Sequence, residues 1–107
     1  MPFGLTDKDI ELIRSTIEAH MEIEEVVVFG SRAMGNHKTG SDVDMAVKGS
    51  GVSLRTISRL SAELNEELPL PYQFDVIDFA SIDTTALTEH IDSLGKVFFS
   101  RKKSGLV

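Results

Sequence analysis

The sequence predicts an α/β or α+β fold in which helices pack on one central sheet. Apolar residues recur at helical spacing in three segments, and short runs rich in valine and phenylalanine alternate with those segments. Glycine, proline, asparagine and serine separate the segments as turns. The resulting order is helix, strand, short helix, strand, helix, strand, helix, and then a short apolar run that fits an edge strand or an apolar plug.

The first helix is predicted from about Asp7 to His20. Thr6 provides an N-cap, and Asp9 at the third helical position completes a pattern like that of a capping box. Four apolar residues then recur at helical spacing and form the predicted buried stripe: Ile10, Ile13, Ile17 and Met21.

The first strand is predicted over residues 25–29. Its run of four apolar residues, three of them valine, indicates burial on both faces of the sheet. Gly30 and Ser31 end the strand. A short helix is predicted over residues 31–34, with Gly35 as its stop signal.

The second strand is predicted over residues 42–48, where apolar and other residues alternate. Ser53 caps the next long helix, which ends before Pro69 because proline cannot continue a helix. The predicted apolar stripe of this helix consists of Leu54, Ile57, Leu60, Leu64 and Leu68.

The third strand is predicted over residues 73–79. The last helix is predicted from Ser81 or Asp83 to Leu94, with Gly95 as its C-terminal cap. Two interpretations remain open for the apolar residues in and after this helix: core packing of the helix, or an interface, including one between copies of the chain. These residues are Leu87, Ile91, Val97, Phe98 and Phe99.

Composition limits the function more than it identifies it. The 107 residues are expected to form a single domain, residues 1–107, and the net charge of −6 argues against nucleic acid as the main partner. The basic run Arg101-Lys102-Lys103 is read as a solvated tail. The chain has no cysteine, which excludes disulfides and thiolate metal sites. No secretory signal or apolar run of membrane-spanning length is visible, so the cytoplasm is the expected location.

Two aspartates stand one residue apart at the start of the second strand. Asp42 and Asp44 therefore point to the same face, with Cβ atoms about 6–7 Å apart. Carboxylate oxygens at that spacing suit one or two Mg²⁺ ions. Alternation alone would also allow two idle, solvent-facing aspartates, and the pair by itself is a weak signal.

A third aspartate strengthens the metal interpretation. Asp75 on the third strand has the parity opposite to that of Phe74 and Val76, so it is expected to share a face with Asp42 and Asp44. Three carboxylates that converge on one surface repel each other unless a cation neutralises them. Asp78 has the wrong parity and is interpreted as a residue of the strand end or turn.

Gly30 and Ser31 follow a buried strand at the end where open α/β sheets place ligands. Glycine allows close backbone approach, the amide groups opening the short helix can hold an anion, and Ser31 adds a hydroxyl group. A plain turn between strand and helix explains the same two residues if the aspartates are ignored.

The combination Gly30-Ser31, ten residues, then Asp42-x-Asp44 resembles the signature of the DNA polymerase beta-like nucleotidyltransferase superfamily. It is most similar to the small stand-alone minimal nucleotidyltransferases, abbreviated MNT. The resemblance covers nearly the whole chain. It implies a mixed central sheet of three to four strands flanked by helices.

The resemblance also implies a division of roles. Gly30 and Ser31 would hold the β- and γ-phosphates of a nucleotide, with ATP as the donor substrate. Asp42 and Asp44 would ligate two Mg²⁺ ions, and Asp75 would complete the catalytic metal site. Arg32 is a candidate contact of the triphosphate or of an adjacent carboxylate, although a surface arginine is an equally good interpretation. His37 and Lys38 lie in the ten-residue loop, where they could approach phosphate, although a solvated loop is the preferred interpretation for both. His90 receives no role.

Small relatives of this kind resemble antitoxins paired with a HEPN-domain ribonuclease. The resemblance therefore implies that AMP is transferred to a hydroxyl group of a HEPN partner. Two rival functions remain open: an antitoxin that neutralises its partner by binding alone, and a nucleotidyltransferase that acts on a small-molecule hydroxyl. A phosphatase of the haloacid dehalogenase type is set aside, because its aspartates end the first buried strand rather than begin a later one.

Overall fold

The structure, a computed structural model, describes residues 1–38 and 40–101 and contains one mixed four-stranded sheet. The strands are β1 (Glu25–Phe29), β2 (Val43–Lys48), β3 (Phe74–Asp78) and β4 (Lys96–Ser100). They lie in the order β3-β2-β1-β4. β1 pairs antiparallel with β2 and β4, whereas β2 and β3 are parallel. The expected mixed sheet flanked by helices is confirmed.

In the described residues, helix α1 (Asp7–Glu18) precedes the first strand, and helices α2 (Ser31–Met34), α3 (Leu54–Ala62) and α4 (Thr85–Leu94) connect successive strands. A π-helical turn, Glu63–Glu67, continues α3, and 3₁₀ turns occupy Pro2–Gly4 and Phe79–Ser81. Within the described residues, none of these helices combines the length and apolarity needed to cross a membrane.

The sheet has two differently covered faces. Helices α1 and α3 pack on one face, which we call the α1/α3 face. Its buried strand residues are Val26, Val28, Val43, Met45, Val47, Phe74 and Phe99. Helix α4 packs on the opposite face, the α4 face, where Val27, Ala46 and Ile91 form a smaller cluster. Burial of β1 on both faces, as its unbroken valine run predicts, follows from this arrangement.

The two long helices begin with the side-chain caps that the sequence indicates. Thr6 Oγ1 accepts a hydrogen bond from the Asp9 amide at 3.0 Å, and Asp9 Oδ2 accepts one from the Thr6 amide at 3.1 Å. Ser53 and Thr56 form the equivalent reciprocal pair at the start of α3. These bonds satisfy amide groups that lack a partner within the first helical turn.

Some sequence predictions were wrong in detail. Helix α1 ends at Glu18 rather than near His20, and Met21 is 74% exposed rather than part of the stripe. Leu54, predicted to belong to the apolar stripe of α3, is the first residue of that helix and is 81% exposed. Gly95 is the C-terminal cap of α4, as predicted, and its backbone there is extended rather than left-handed.

Gly95 is needed for close packing instead. A Cβ atom there would lie 2.5 Å from both the Ile91 carbonyl oxygen and Val27 Cγ1. Helix α4 begins at Thr85, later than predicted, because Asp78 caps the intervening 3₁₀ turn. Asp78 is thus the strand-end residue that its parity indicated.

The apolar run at the C-terminal end forms strand β4, as one of the two interpretations predicted. Ile91 and Phe99 are buried, and Leu87 and Phe98 are half-buried, which supports core packing for most of the group. Val97 is 56% exposed. Lys102 and Lys103 of the predicted tail lie outside the described residues.

Candidate active site

The parallel pairing of β2 and β3 brings two of the three predicted aspartates side by side. Asp44 and Asp75 are direct partners in the register, and their neighbours Val43 and Phe74 pair on the opposite, α1/α3 face. Asp44 and Asp75 therefore share the α4 face. Asp42 precedes Val43, the first residue of β2, by one position. Asp78 pairs with Val47 and so belongs to the other face.

The carboxylates influence one another electrostatically. Asp44 is partly buried, whereas Asp42 and Asp75 are exposed. Burial raises the pKa of the Asp44 carboxyl above its usual value, and the negative charges of Asp75 and then Asp42 raise it further. The charged form of Asp44 is therefore disfavoured until a positive charge approaches.

Gly30 packs directly against this carboxylate. It has a φ of 77°, a conformation that favours glycine, and a Cβ atom there would lie 2.5 Å from Asp44 Oδ2. Its neighbour Phe29 pairs with Asp44 across β1 and β2. Ser31 follows as the first residue of α2. The Gly-Ser turn and the Asp-x-Asp segment, ten residues apart in sequence, thus meet at one point.

The same residues bear on whether a metal fits. In the part of the chain that the structure describes, no three His, Cys, Asp or Glu side chains are grouped closely enough to hold an ion. The donor chemistry nevertheless fits a hard divalent cation, because Asp42, Asp44 and Asp75 offer only carboxylate oxygens. Burial and, after it, the charges of Asp75 and Asp42 raise the pKa of Asp44, and a cation bound beside these carboxylates would offset both effects.

Arg32 is only 4% exposed, so it is not a surface arginine, and its hydrogen bonds in the described residues go to main-chain oxygens rather than to an adjacent carboxylate. Its contact with the triphosphate stays a prediction. Nε and Nη2 donate to the Ser41 carbonyl oxygen at 3.1 and 2.9 Å, and Nη1 donates to that of Phe3 at 2.8 Å. The sequence carries no local signal for these partners, because Phe3 is distant along the chain.

Asn65 was missed by the sequence analysis and holds the start of β3. Its side-chain amide accepts from the Phe74 amide at 2.7 Å and donates to the Phe74 carbonyl at 3.0 Å. Phe74 immediately precedes Asp75, and β3 is an edge strand. Nothing in the local sequence distinguishes Asn65 from the other polar residues of this helical segment.

His90, which received no role, lies on the α4 face. Its ring meets that of Phe29 edge to face, with centroids 6.3 Å apart. His37 and Lys38 line a separate cavity of about 340 Å³ together with Arg32 and Tyr72.

The mixed sheet and the carboxylates beside a Gly-Ser turn define a nucleotidyltransferase type of protein. Residues 11–104 match the family described as "Polymerase beta, Nucleotidyltransferase". Since this match spans almost all of the sequence, the chain belongs to that family, and the resemblance drawn from the motifs is confirmed. The search of curated proteins found no match.

Several solved structures share the fold. A toxin–antitoxin complex with AMP-PNP has 19% identity and a TM-score of 0.70, with 91% of this chain and 76% of that chain covered. A complex of a tri-AMPylated Shewanella oneidensis HEPN toxin with an MNT antitoxin has 23% identity and a TM-score of 0.58, covering 88% and 68%. A Sulfolobus solfataricus protein described as a nucleotidyltransferase has 18% identity and a TM-score of 0.54, covering 88% and 78%. At these identities the likeness shows the fold alone.

Proposed function

We propose that this protein is a Mg²⁺-dependent nucleotidyltransferase that moves AMP from ATP to a hydroxyl group of a protein partner. The partner is a HEPN-domain ribonuclease toxin, and this chain is its cytoplasmic antitoxin, acting as one catalytic domain. The observation that carries the proposal is the pairing of Asp44 with Asp75 across two parallel strands, with Gly30 packed against Asp44.

The reaction forms one bond and breaks another. The acceptor hydroxyl oxygen attacks the α-phosphorus of the nucleotide in line, and the bond to the β-phosphate oxygen breaks to release pyrophosphate. The hydroxyl proton passes to Asp75 or to solvent. Bound Mg²⁺ would supply charge neutralisation for the triphosphate and would increase the acidity of the hydroxyl.

Each residue has a stated task in this proposal. Asp42 and Asp44 would hold two Mg²⁺ ions, and Asp75 would complete the catalytic metal site. Gly30 lets the nucleotide phosphates approach the backbone, and Ser31 contributes its hydroxyl group as a further contact. This grouping favours catalysis over simple binding, since a protein that only binds its partner gains nothing from repelling carboxylates.

The choice of donor and acceptor is supported by what fold neighbours carry. One neighbour was solved with AMP-PNP, and another is a complex whose HEPN toxin is tri-AMPylated. The net charge of −6 also suits a basic partner, because opposite charge speeds association.

The test is a transfer assay with purified full-length chain, α-labelled ATP and Mg²⁺. It is run with and without a purified HEPN-domain protein as the acceptor. Label on the HEPN partner is expected, and the Asp42→Asn/Asp44→Asn double variant should lose it. Asp78→Asn is the matched control, because Asp78 pairs with Val47 on the opposite face and should retain most of the transfer.

The outcomes separate the rival functions. A stable complex without label, formed equally by the native chain and the double variant, would replace the proposal with an antitoxin that acts by binding alone. Label on a small hydroxyl compound such as an aminoglycoside, with none on protein, would indicate a different acceptor. Equal loss of transfer in Asp75→Asn and Asp78→Asn would contradict the assignment of strand faces.

A further inference from the structure

The guanidinium of Arg32 is buried without an anionic partner. Arg32 is 4% exposed, and in residues 1–38 and 40–101 no carboxylate forms a salt bridge with it. Burying an arginine charge is costly, so its surroundings must satisfy it well. Three of its N–H groups donate to main-chain carbonyl oxygens. Its Cζ atom lies over the Tyr72 ring, 5.0 Å from the ring centroid.

The most informative of these bonds goes to the Ser41 carbonyl oxygen. Nε and Nη2 of Arg32 both donate to it, at 3.1 and 2.9 Å. That carbonyl belongs to the peptide unit that joins Ser41 to Asp42. Arg32 itself directly follows the Gly30-Ser31 turn. One side chain therefore ties the turn beside Asp44 to the backbone that carries Asp42.

The other side of the guanidinium is anchored in the body of the protein. Nη1 donates to the carbonyl oxygen of Phe3, a residue held at a φ of 59° that is rare outside glycine. The Tyr72 ring beneath the guanidinium is fixed in turn, because its hydroxyl group donates to Asp9 Oδ2 at 2.7 Å. The Arg32 side chain that bonds Ser41 is therefore itself held in place by Phe3 and Tyr72.

We propose that Arg32 is a positioning residue that holds Asp42 in register with Asp44, and that it acts through the Ser41–Asp42 peptide rather than by touching the nucleotide. The inference rests on the proposed function in one respect, namely that Asp42 is a metal ligand. Arginine is required because its planar fork makes two bonds to one carbonyl while its face stacks on a ring; lysine offers a point charge without that geometry.

The test measures metal binding directly, on the nucleotide-free full-length chain. Mn²⁺ is used as the paramagnetic probe, and the free ion is followed by electron paramagnetic resonance. Arg32→Lys keeps the charge and loses the fork, whereas Arg32→Met keeps much of the stem and loses both. Arg14→Lys is the matched control, since Arg14 is half-exposed and bonded only to Glu18 among its recorded partners.

Both Arg32 variants are expected to bind Mn²⁺ about tenfold more weakly, the scale seen when a group that orients a metal ligand is removed. Arg14→Lys should match the native chain. Affinity for the nucleotide in the absence of metal should change by less than about threefold in every variant, because none of these side chains is proposed to contact the nucleotide. All measurements are made at a temperature where circular dichroism shows each variant folded, and Arg32→Lys carries the test if Arg32→Met does not fold.

Three results would overturn the proposal. Native Mn²⁺ affinity in Arg32→Lys, with only a lower melting temperature, would make Arg32 purely structural. Weaker nucleotide binding with unchanged Mn²⁺ affinity would make it a direct phosphate contact. If the native chain binds no Mn²⁺, Asp42 is not a metal ligand and the proposal fails. Mn²⁺ binding that depends on Arg32, in a chain that transfers no AMP, would refute the proposed function and leave the positioning role standing.

Discussion

The environment of Asp44 disfavours the ionised form of its carboxyl group. Its pKa is raised by burial first and by Asp75 and Asp42 second. A carboxyl whose pKa is higher in the folded state than in the unfolded state binds more protons when folded. Stability therefore decreases as the pH rises through the unfolded and then the folded pKa of Asp44. At neutral pH without metal, the ionised Asp44 destabilises the protein.

We therefore predict that Asp44→Asn raises the melting temperature by a few degrees in EDTA at pH 7, while it abolishes transfer. The gain should shrink as the pH falls through the range in which Asp44 itself becomes protonated. Thermal unfolding followed by circular dichroism between pH 4 and pH 8 measures both effects. Asp78→Asn is the control and should give no gain, because Asp78 caps the turn after β3. A lower melting temperature for Asp44→Asn at pH 7 would contradict the account.

Gly30 allows the backbone to approach that same carboxylate. We predict that Gly30→Ala lowers the free energy of unfolding by about 1–3 kcal/mol, because a Cβ atom combines left-handed strain with a contact 2.5 Å from Asp44 Oδ2. Transfer should fall by at least about tenfold, since the displaced carboxylate is a proposed metal ligand. Denaturant unfolding and the transfer assay are the measurements.

Gly35→Ala is the matched control for that change. Gly35 has a φ of 80°, yet no described residue beyond its chain neighbours lies within 4 Å of the position its Cβ atom would occupy. It should lose stability through backbone strain alone and keep its transfer activity. Equal loss of transfer in both variants would show that contact with Asp44 is not what Gly30 provides.

At the scale of elements, the π-helical turn after α3 has a definite consequence for β3. The wider turn at Glu63–Glu67 holds Asn65 where its amide bonds both main-chain groups of Phe74. These bonds substitute for a neighbouring strand on the open edge of the sheet. The position of Asp75, one residue further on, depends on them.

We predict that Asn65→Ala lowers the free energy of unfolding by about 1–3 kcal/mol, the cost of leaving main-chain groups without partners. Amide exchange at Phe74 should become faster as the edge loosens. Hydrogen exchange followed by nuclear magnetic resonance measures the local effect, and denaturant unfolding measures the global one. Asn36→Ala, at an exposed loop position, should change neither. Unchanged exchange at Phe74 in Asn65→Ala would refute the bracing role.

At the scale of the whole molecule, the larger apolar core and the candidate active site lie on opposite faces of the sheet. The α1/α3 face holds the larger apolar cluster, and the α4 face holds a smaller one beyond which Asp44 and Asp75 lie. Stability thus comes mainly from one side of the sheet, while the carboxylates reduce it on the other. A ligand that neutralises them should stabilise the entire fold.

We predict that Mg²⁺ and AMP-PNP together raise the melting temperature by roughly 10–20 °C at ligand concentrations near 100 times Kd. Binding at that excess adds about 2.7 kcal/mol, and each kcal/mol shifts the midpoint of a domain this size by roughly 4–8 °C. Differential scanning calorimetry is the measurement. The Asp42→Asn/Asp44→Asn variant should show no Mg²⁺-dependent shift, and an equal shift in both proteins would place the ligand elsewhere.

Local patterns in the chain determined the order of the elements, the N-terminal caps of the two long helices and the face of each strand residue. The reason is that side-chain direction in a strand has a period of two, so Asp44 and Asp75 could be separated from Asp78 without a structure. The spacing of the Gly-Ser turn and the two aspartates was likewise enough to indicate the family.

Only the tertiary structure decided which residues support that site. The direct pairing of Asp44 with Asp75, the burial of Arg32 against Ser41 and Phe3, and the hold of Asn65 on Phe74 all join segments distant in sequence. Local propensity carries no information about such contacts, because a polar side chain that is solvent-exposed in one fold is buried and fully hydrogen-bonded in another.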